Sequence, residues 1–138
     1  MAIEINLVSN DQILGVSGAE HPFPLYRKAG VPVVISTDDE GVSRSSMTGQ
    51  YRMAVDEYDL RYRDLRQIAR NGLSYSFLPG ESIWRRPSSQ GMVAACATDT
   101  RGDPRPTKAC ARFLDGSGKA QAQWRQEAAF GAFERRYG

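Results

Sequence analysis

The segment from Val33 to Gly41 places the strongest constraint on the fold. Its apolar, β-branched residues Val33-Val34-Ile35 end abruptly in Ser36-Thr37-Asp38-Asp39, and Gly41 follows as the predicted turn. A short run that is apolar on both faces predicts a buried strand in a parallel sheet covered by helices. Two carboxylates at the carboxyl end of such a strand occupy the edge where α/β proteins place catalytic and metal sites. The segment therefore predicts a parallel α/β fold with a candidate site at Asp38 and Asp39.

A strand–helix–strand unit is predicted around this segment. Ile3 to Val8 has the alternating, β-branched pattern of a first strand, and residues 9–22 are predicted to form a loop with turn-forming Ser9 and Asn10 at its start. Phe23 to Ala29 is predicted as a short helix followed by a second strand from Val33 to Thr37. Two sequential strands joined by a helix imply parallel pairing and a right-handed crossover.

Downstream of the two acids, the pattern predicts helices and loops. A serine-rich loop is expected over 40–47, followed by a helix that is capped by Thr48 and runs to Tyr58. A second helix is expected from Tyr62 to a stop at Asn71-Gly72. The pattern is helical again from Lys108 to Tyr137, with a break at 115–118. A further turn is predicted over 81–86 and a long loop over 87–107. Two strands are too few for a stable sheet. The chain is therefore predicted to be the tail of a larger α/β fold.

Composition limits the classes of partner. The 138 residues are 41% hydrophobic and 25% charged, which is typical of a folded globular domain. A net charge of +2 gives no reason to expect nucleic acid or an anionic membrane as a partner. No apolar run approaches the ~20 residues that span a bilayer, and the sequence from Met1 lacks the pattern of a signal peptide.

The two cysteines leave two interpretations open. Cys96 and Cys110 lie 14 positions apart in an irregular, Pro- and Gly-rich segment. They form either a disulfide, if the protein is exported, or two free thiols. They are not expected to bind zinc, because the nearby sequence offers no third ligand. The single histidine, His21, lies in the first loop, where its expected role is to fix that loop.

An ordered series of motifs carries a resemblance to a known family. The chain contains, in this order, Ser9-Asn10, His21-Pro22, Ala29-Gly30-Val31-Pro32-Val33, Ser36-Thr37-Asp38-Asp39, Tyr51, Leu65-Arg66, Ala69-Arg70-Asn71 and Ser76-Phe77. This series resembles the C-terminal part of the adenosine deaminase family, and within it the bacterial members of the adenosine deaminase-related growth factor type. The similarity covers about residues 2–86, and the last helix fits more loosely.

The resemblance implies a fold, a cofactor and a substrate. The fold would be a metal-dependent hydrolase (β/α)8 TIM barrel, of which this chain would supply the last two strands and the C-terminal helices. One Zn²⁺ per full-length barrel would activate water for the hydrolysis of adenosine or deoxyadenosine to inosine and ammonia. Carried over by position, Asp38 matches the zinc-binding aspartate and Asp39 the acid that binds the purine ring. The substrate would be a small molecule, and a homo-oligomer is compatible with the resemblance.

The rest of the family's site has no counterpart in this sequence. The family's zinc-binding histidines and its catalytic glutamate and histidine belong to segments outside it, and His21 matches none of them. A lone Asp38 cannot hold a catalytic zinc, which takes three protein ligands. No catalytic residue is therefore assigned, and the chain alone is expected to be inactive. The predicted division is a barrel portion over 1–86, an irregular loop over 87–107 and a helical extension over 108–138.

Two alternatives stay open for the function, and two for the location. The parent is either an adenosine deaminase or a deaminase of a related aminopurine or nucleotide. Alternatively, the chain is a non-catalytic helical interaction module that uses the last helix. That helix is predicted to expose Glu127 and to have a broad apolar side formed by Trp124, Ala128, Phe130, Phe133 and Tyr137. The cysteine pair suits a periplasmic or secreted parent, whereas a true start at Met1 would indicate the cytoplasm.

Overall fold

The computed structural model describes residues 1–38, 40–86 and 91–138. By their internal contacts, these residues divide into two compact units, the N-terminal unit Met1–Gly72 and the C-terminal unit Leu73–Gly138. The boundary falls inside a helix, and each unit has its own hydrophobic core. The three-part division at residues 86 and 107 remains a prediction. Among the described residues, no helix has both the length and the apolar character required to cross a membrane.

The N-terminal unit contains two strands and five α-helices among its described residues. In chain order these are β1 (Ile3–Ile5), α1 (Leu7–Leu14), α2 (Phe23–Lys28), β2 (Val33–Ile35), α3 (Glu40–Ser43), α4 (Met47–Tyr58) and α5 (Tyr62–Ser74), with a 3-10 turn at Gly18–Glu20 before α2. The last of these helices continues into the C-terminal unit.

The two strands pair in parallel, as the sequence predicts. Ile3 is opposite Val33 and Ile5 is opposite Ile35. The ladder continues past its ends, because the N–H of Ser36 donates to the carbonyl of Ile5 at 3.1 Å. Ile5, Val33 and Ile35 are buried together with Phe23 in one apolar core, and the partly buried Ile3 packs against it. This register aligns the carboxyl ends of β1 and β2.

The predicted loop over residues 9–22 is wrong in its first half, because α1 occupies Leu7–Leu14. The first strand accordingly ends at Ile5 rather than Val8. Gly15 ends the helix in the left-handed conformation, with φ at +64°, and its N–H bonds the carbonyl of Asp11. Sequence periodicity did not predict this helix because Ile13 and Leu14 are exposed, so it lacks the continuous apolar face that identifies an amphipathic helix.

Three predictions around the later helices also need correction. The predicted loop over 40–47 contains α3. The cap of α4 is Ser46 rather than Thr48, because the Oγ of Ser46 accepts the N–H of Gly49 at 3.1 Å. Helix α5 continues past the predicted stop at Asn71-Gly72. Asn71 is buried and donates its side-chain amide to the carbonyl of Val33 at 2.8 Å, so it anchors the helix to β2 instead of ending it.

The C-terminal unit is built around two helices, α6 (Lys108–Asp115) and α7 (Gly118–Tyr137). The predicted turn over 81–86 is wrong, because Trp84 forms an antiparallel bridge with Met92. A 3-10 turn at Ala94–Cys96 interrupts the predicted long loop. Within the predicted loop, residues 87–90 lie outside the described part of the chain. The structure joins Cys96 to Cys110 in a disulfide.

Helix α7 differs from its predicted faces. Trp124 is buried as predicted, but Glu127, predicted to face water, is only 5% exposed. Phe133 and Tyr137 are 48% and 65% exposed, and their rings contact each other at a centroid distance of 4.9 Å. Only the first half of the predicted apolar side therefore belongs to the core.

Candidate functional site

The candidate site lies where the two parallel strands end. Because Ile5 pairs with Ile35, the residues that follow β1 and β2 emerge at the same edge of the sheet. Ser9, in the first turns of α1, and Asp38, after β2, meet at this edge although 29 positions separate them. The hydroxyl of Ser9 donates to Oδ2 of Asp38 at 3.2 Å. Ser9 is only 8% exposed, so the side chains packed around it restrict the position of its hydroxyl.

Asp38 makes the turn that follows the strand. Its φ is +54°, a left-handed conformation that is uncommon outside glycine but tolerated by aspartate. Its N–H donates to Oγ of Ser36 at 3.4 Å, which is a local bond of the kind that stabilises a turn. The prediction that Gly41 supplies this turn is wrong, because Gly41 lies within α3.

The predicted site residues have different outcomes. The structure places Asp38, the predicted metal ligand, at the carboxyl end of β2 with an exposed side chain. Asp39, the predicted substrate contact, lies outside the described residues. Ser9 was expected only to form a turn, but it lies in a helix and bonds Asp38. The signal that could have identified it is its position just after the partner strand, once the register was known.

The donor set at this edge fits one metal ligand but not a complete catalytic site. A carboxylate has two oxygens, and that of Asp38 uses Oδ2 for Ser9, which leaves Oδ1 suited to a cation. The described part of the chain contains no group of three or more His, Cys, Asp or Glu residues that could hold a metal ion. A catalytic zinc takes three protein ligands. Asp38 could thus supply one ligand to a site whose other ligands come from elsewhere.

His21 fixes the segment between α1 and α2, as predicted. Its ring is 3% exposed, its Nδ1 accepts the N–H of Phe23 at 3.0 Å, and its Nε2 lies 2.7 Å from the side-chain amide of Asn10. Burial lowers the pKa of His21 below its usual value, and the carboxylate of Glu57 opposes that shift. The bond from Phe23 also requires an unprotonated Nδ1. His21 therefore acts as a neutral structural residue at neutral pH.

We expect the N-terminal unit to lose stability as the pH falls. The pKa of His21 is lower in the folded chain than its unfolded value of about 6.5, so the unfolded state binds more protons below that pH. Stability is therefore retained above about pH 6.5 and declines toward the folded pKa. His21 is the single histidine, so its imidazole C–H signal in an NMR titration is unambiguous. An imidazole titration midpoint at or above the unfolded value would contradict this prediction. His21→Asn keeps an acceptor near Phe23 but has no group that titrates in this range, so it is the matched control for the pH dependence of stability.

A hollow in the N-terminal unit is lined by residues other than Asp38. It has a volume of about 390 Å³ and is lined by residues of the 3-10 turn, α2 and the end of α4, including Glu57 and Tyr58. Glu57 accepts the N–H of Gly18 at 3.0 Å. Burial and the negative charge of Glu57 raise the pKa of Tyr58 to about 12, so the phenol stays protonated at neutral pH. Asp38 is not among the residues that line this hollow.

The strand pair and its acidic tip define a class of protein. A parallel β–helix–β unit that presents a carboxylate at the carboxyl edge of its strands is typical of α/β proteins whose active sites lie at that edge. The family model described as adenosine deaminase matches residues 1–85. The chain therefore belongs to the adenosine deaminase family.

Similar curated proteins carry two different names. The chain is 35% identical to an adenosine deaminase of Enterococcus faecalis over 60 residues, which is 44% of this chain and 18% of that protein. It is 37% identical to an aminodeoxyfutalosine deaminase of Streptomyces coelicolor over 65 residues, 46% of this chain and 17% of that protein. It is 36% identical to an adenosine deaminase of Shewanella loihica over 59 residues, which is 43% of this chain and 18% of that protein. The chain thus spans less than a fifth of these relatives, and no solved structure matches it.

Proposed function

We propose that this chain forms the C-terminal corner of a zinc-dependent deaminase barrel that hydrolyses adenosine or deoxyadenosine to inosine and ammonia. The observation that carries the proposal is the position of Asp38 in a chain that belongs to the adenosine deaminase family. Asp38 follows the carboxyl end of a parallel strand in a left-handed turn, and its carboxylate accepts a hydrogen bond from Ser9. The two strands would be the last two of a (β/α)8 barrel, whose active site lies at the carboxyl ends of its strands.

Each residue of this corner has a proposed role. Asp38 would supply one carboxylate ligand to a single zinc ion, and the neighbouring Asp39 would bind the purine ring. The zinc, when bound, would make water nucleophilic at neutral pH. The hydroxyl of Ser9 would hold the Asp38 carboxylate in a fixed orientation, because a donor on Oδ2 restrains the side chain that carries Oδ1. The remaining ligands and the acid–base groups would come from other parts of the barrel, so this chain alone is expected to be inactive.

A second substrate is favoured by one observation. A relative named aminodeoxyfutalosine deaminase is as similar to this chain as the two named adenosine deaminase, and it aligns over a similar length. The matched corner would therefore suit either deaminase, and a related aminopurine is the second candidate substrate. The choice between them would depend on pocket residues outside the matched stretch, which covers less than a fifth of each relative.

A chimeric enzyme tests the proposed function. Residues 1–85 would replace the matching C-terminal stretch of the Enterococcus faecalis protein, and inosine formation from adenosine would be followed in the purified, zinc-loaded chimera. Turnover of adenosine above that of the relative truncated before the exchanged stretch would support the proposal. A folded, zinc-loaded chimera without deaminase activity on either adenosine or aminodeoxyfutalosine would contradict it.

We expect Ser9→Ala to weaken zinc binding by the same chimera. Removing a hydrogen-bond partner of a metal ligand typically costs about 10- to 100-fold in metal affinity. Ser9→Thr keeps the hydroxyl and is expected to retain most of the affinity. Competition with a chromophoric chelator measures both variants. Equal zinc affinities for Ser9→Ala and the parent chimera would show that the bond to Asp38 does not orient the ligand.

A further inference from the structure

The disulfide of the C-terminal unit lies at the centre of its core. Cys96 ends a 3-10 turn, and Cys110 lies in the first turn of α6. Both residues have no solvent exposure. A disulfide whose two cysteines are both buried is inaccessible to an attacking thiolate in the folded protein, so its role is structural rather than catalytic.

The loop closed by this disulfide is also held against α7. The indole N–H of Trp124 donates to the carbonyl of Asp103 at 3.0 Å. Gly102, with φ at +72°, lies so close to the backbone of Ala128 that any Cβ there would overlap it. The loop therefore lies in close contact with α7, and the disulfide links its two ends.

A carboxylate clamp reinforces the second end of the loop. Asp99 accepts the N–H of Thr107 at 2.6 Å and the hydroxyl of Thr107 at 2.9 Å. The same hydroxyl oxygen accepts the N–H of Cys110 as the N-cap of α6. The cap, the clamp and the disulfide are thus connected through Thr107 and Cys110.

The apolar core of this unit is small, and the cystine is a substantial part of it. Its buried apolar residues in the described part of the chain are Ile83, Trp84, Met92, Cys96, Cys110, Leu114, Ala120 and Trp124. Domains of this size bury a limited fraction of their surface and often depend on a disulfide for stability. Breaking the cystine would release the two ends of the loop and remove the covalent link within this small core.

We propose that the C-terminal unit reaches its native fold only after Cys96 and Cys110 are oxidised, so that the protein matures in an oxidising compartment. The oxidant would be a disulfide-bearing molecule, either a thiol–disulfide oxidoreductase or oxidised glutathione. In the balanced step, two cysteine thiols form one protein disulfide, and the oxidant's disulfide takes up the two electrons and two protons and becomes two thiols. This inference is independent of the proposed deaminase function, because Cys96 and Cys110 both lie outside the stretch that matches the family.

The tryptophans allow this unit to be followed within the full 138-residue chain. The chain has two tryptophans, Trp84 and Trp124, and both belong to the core of the C-terminal unit. Their fluorescence during urea unfolding therefore reports this unit. The chain would be produced both with export to the bacterial periplasm and without export, and its thiols would be counted by alkylation and intact mass.

We expect the exported chain to take up no alkylating reagent and to unfold in a cooperative transition. Reduction is expected to abolish the transition, because a disulfide across a loop of this length supplies a large part of the stability of a small unit. The unexported chain should carry two free thiols and gain the transition when treated with oxidised glutathione. The double variant Cys96→Ser/Cys110→Ser is the matched control and should respond to neither reagent.

Two results would overturn the proposal. The first is an exported chain that carries two alkylated cysteines while still showing the native tryptophan transition. The second is a cooperative tryptophan transition that persists in the reduced chain or in the double serine variant.

Discussion

Asp38→Ala in the zinc-loaded chimera is expected to lower kcat/KM for adenosine by about 10³-fold or more. The substitution removes one of the metal's protein ligands, and a metal that activates water contributes several kcal/mol to transition-state stabilisation. The left-handed backbone at this position adds a second penalty, because alanine tolerates a φ of +54° less well than aspartate does. Asp38→Asn separates the two effects, since it keeps the turn but replaces the charged ligand with a neutral amide.

A surface acid provides the control for this prediction. Asp56 lies on the exposed side of α4, where its ion pair with Arg52 is open to solvent, with side-chain exposures of 63% and 83%. Exposed pairs of this kind contribute little, so Asp56→Ala is expected to leave kcat/KM within about twofold of the parent. Steady-state kinetics on all three variants would settle the role. An Asp38→Ala chimera within about tenfold of the parent would contradict a metal-ligand role for Asp38.

The isolated 138-residue chain is expected to form no inosine and to bind zinc weakly and without a fixed stoichiometry. Asp38 alone cannot replace the three ligands that a catalytic zinc takes. The chain is also expected to associate. The described two-stranded sheet has unpaired edges, and several large apolar side chains are exposed in the N-terminal unit, namely Ile13, Leu14, Leu25 and Val42.

Three measurements check this second prediction. They are an inosine assay at high protein concentration, a zinc titration by calorimetry and sedimentation of the purified chain. The Asp38→Ala chain is the control for the titration, because any binding that depends on Asp38 should disappear in it. Measurable inosine formation, or one zinc bound tightly per chain, would contradict the prediction. A monodisperse chain in the sedimentation experiment would favour the alternative of an independent helical module.

The central β–helix–β unit could be predicted from the sequence because its signals are local. β-branched residues indicate the strands, and Gly30 after α2 indicates the end of the helix. Parallel pairing then follows from chain order, and the structure confirms it. Helix α1 could not be predicted in this way, since its apolar residues Ile13 and Leu14 are exposed and Ser9-Asn10-Asp11 resembles a turn.

Only those features of the candidate site that depend on neighbouring residues in the sequence could be predicted. Asp38 could be identified because it follows a buried strand directly, but its bond to Ser9 depends on the strand register, which joins residues 29 positions apart. The identity of the turn residue was missed because a non-glycine left-handed conformation has a weak sequence signal, and a nearby glycine is the usual choice. Likewise, spacing alone left the pairing of Cys96 and Cys110 open, whereas the packing of α6 against the preceding 3-10 turn brings them together.

The most direct test of the proposed corner is the zinc content of the chimera with and without Asp38. Metal analysis of the purified parent chimera is predicted to give one zinc per chain. The Asp38→Ala variant is predicted to lose most of that zinc on dialysis, while the Asp56→Ala control retains it. Retention of a full zinc complement by a folded Asp38→Ala chimera would contradict the assignment of Asp38 as a ligand and, with it, the placement of this chain at the metal site of the barrel.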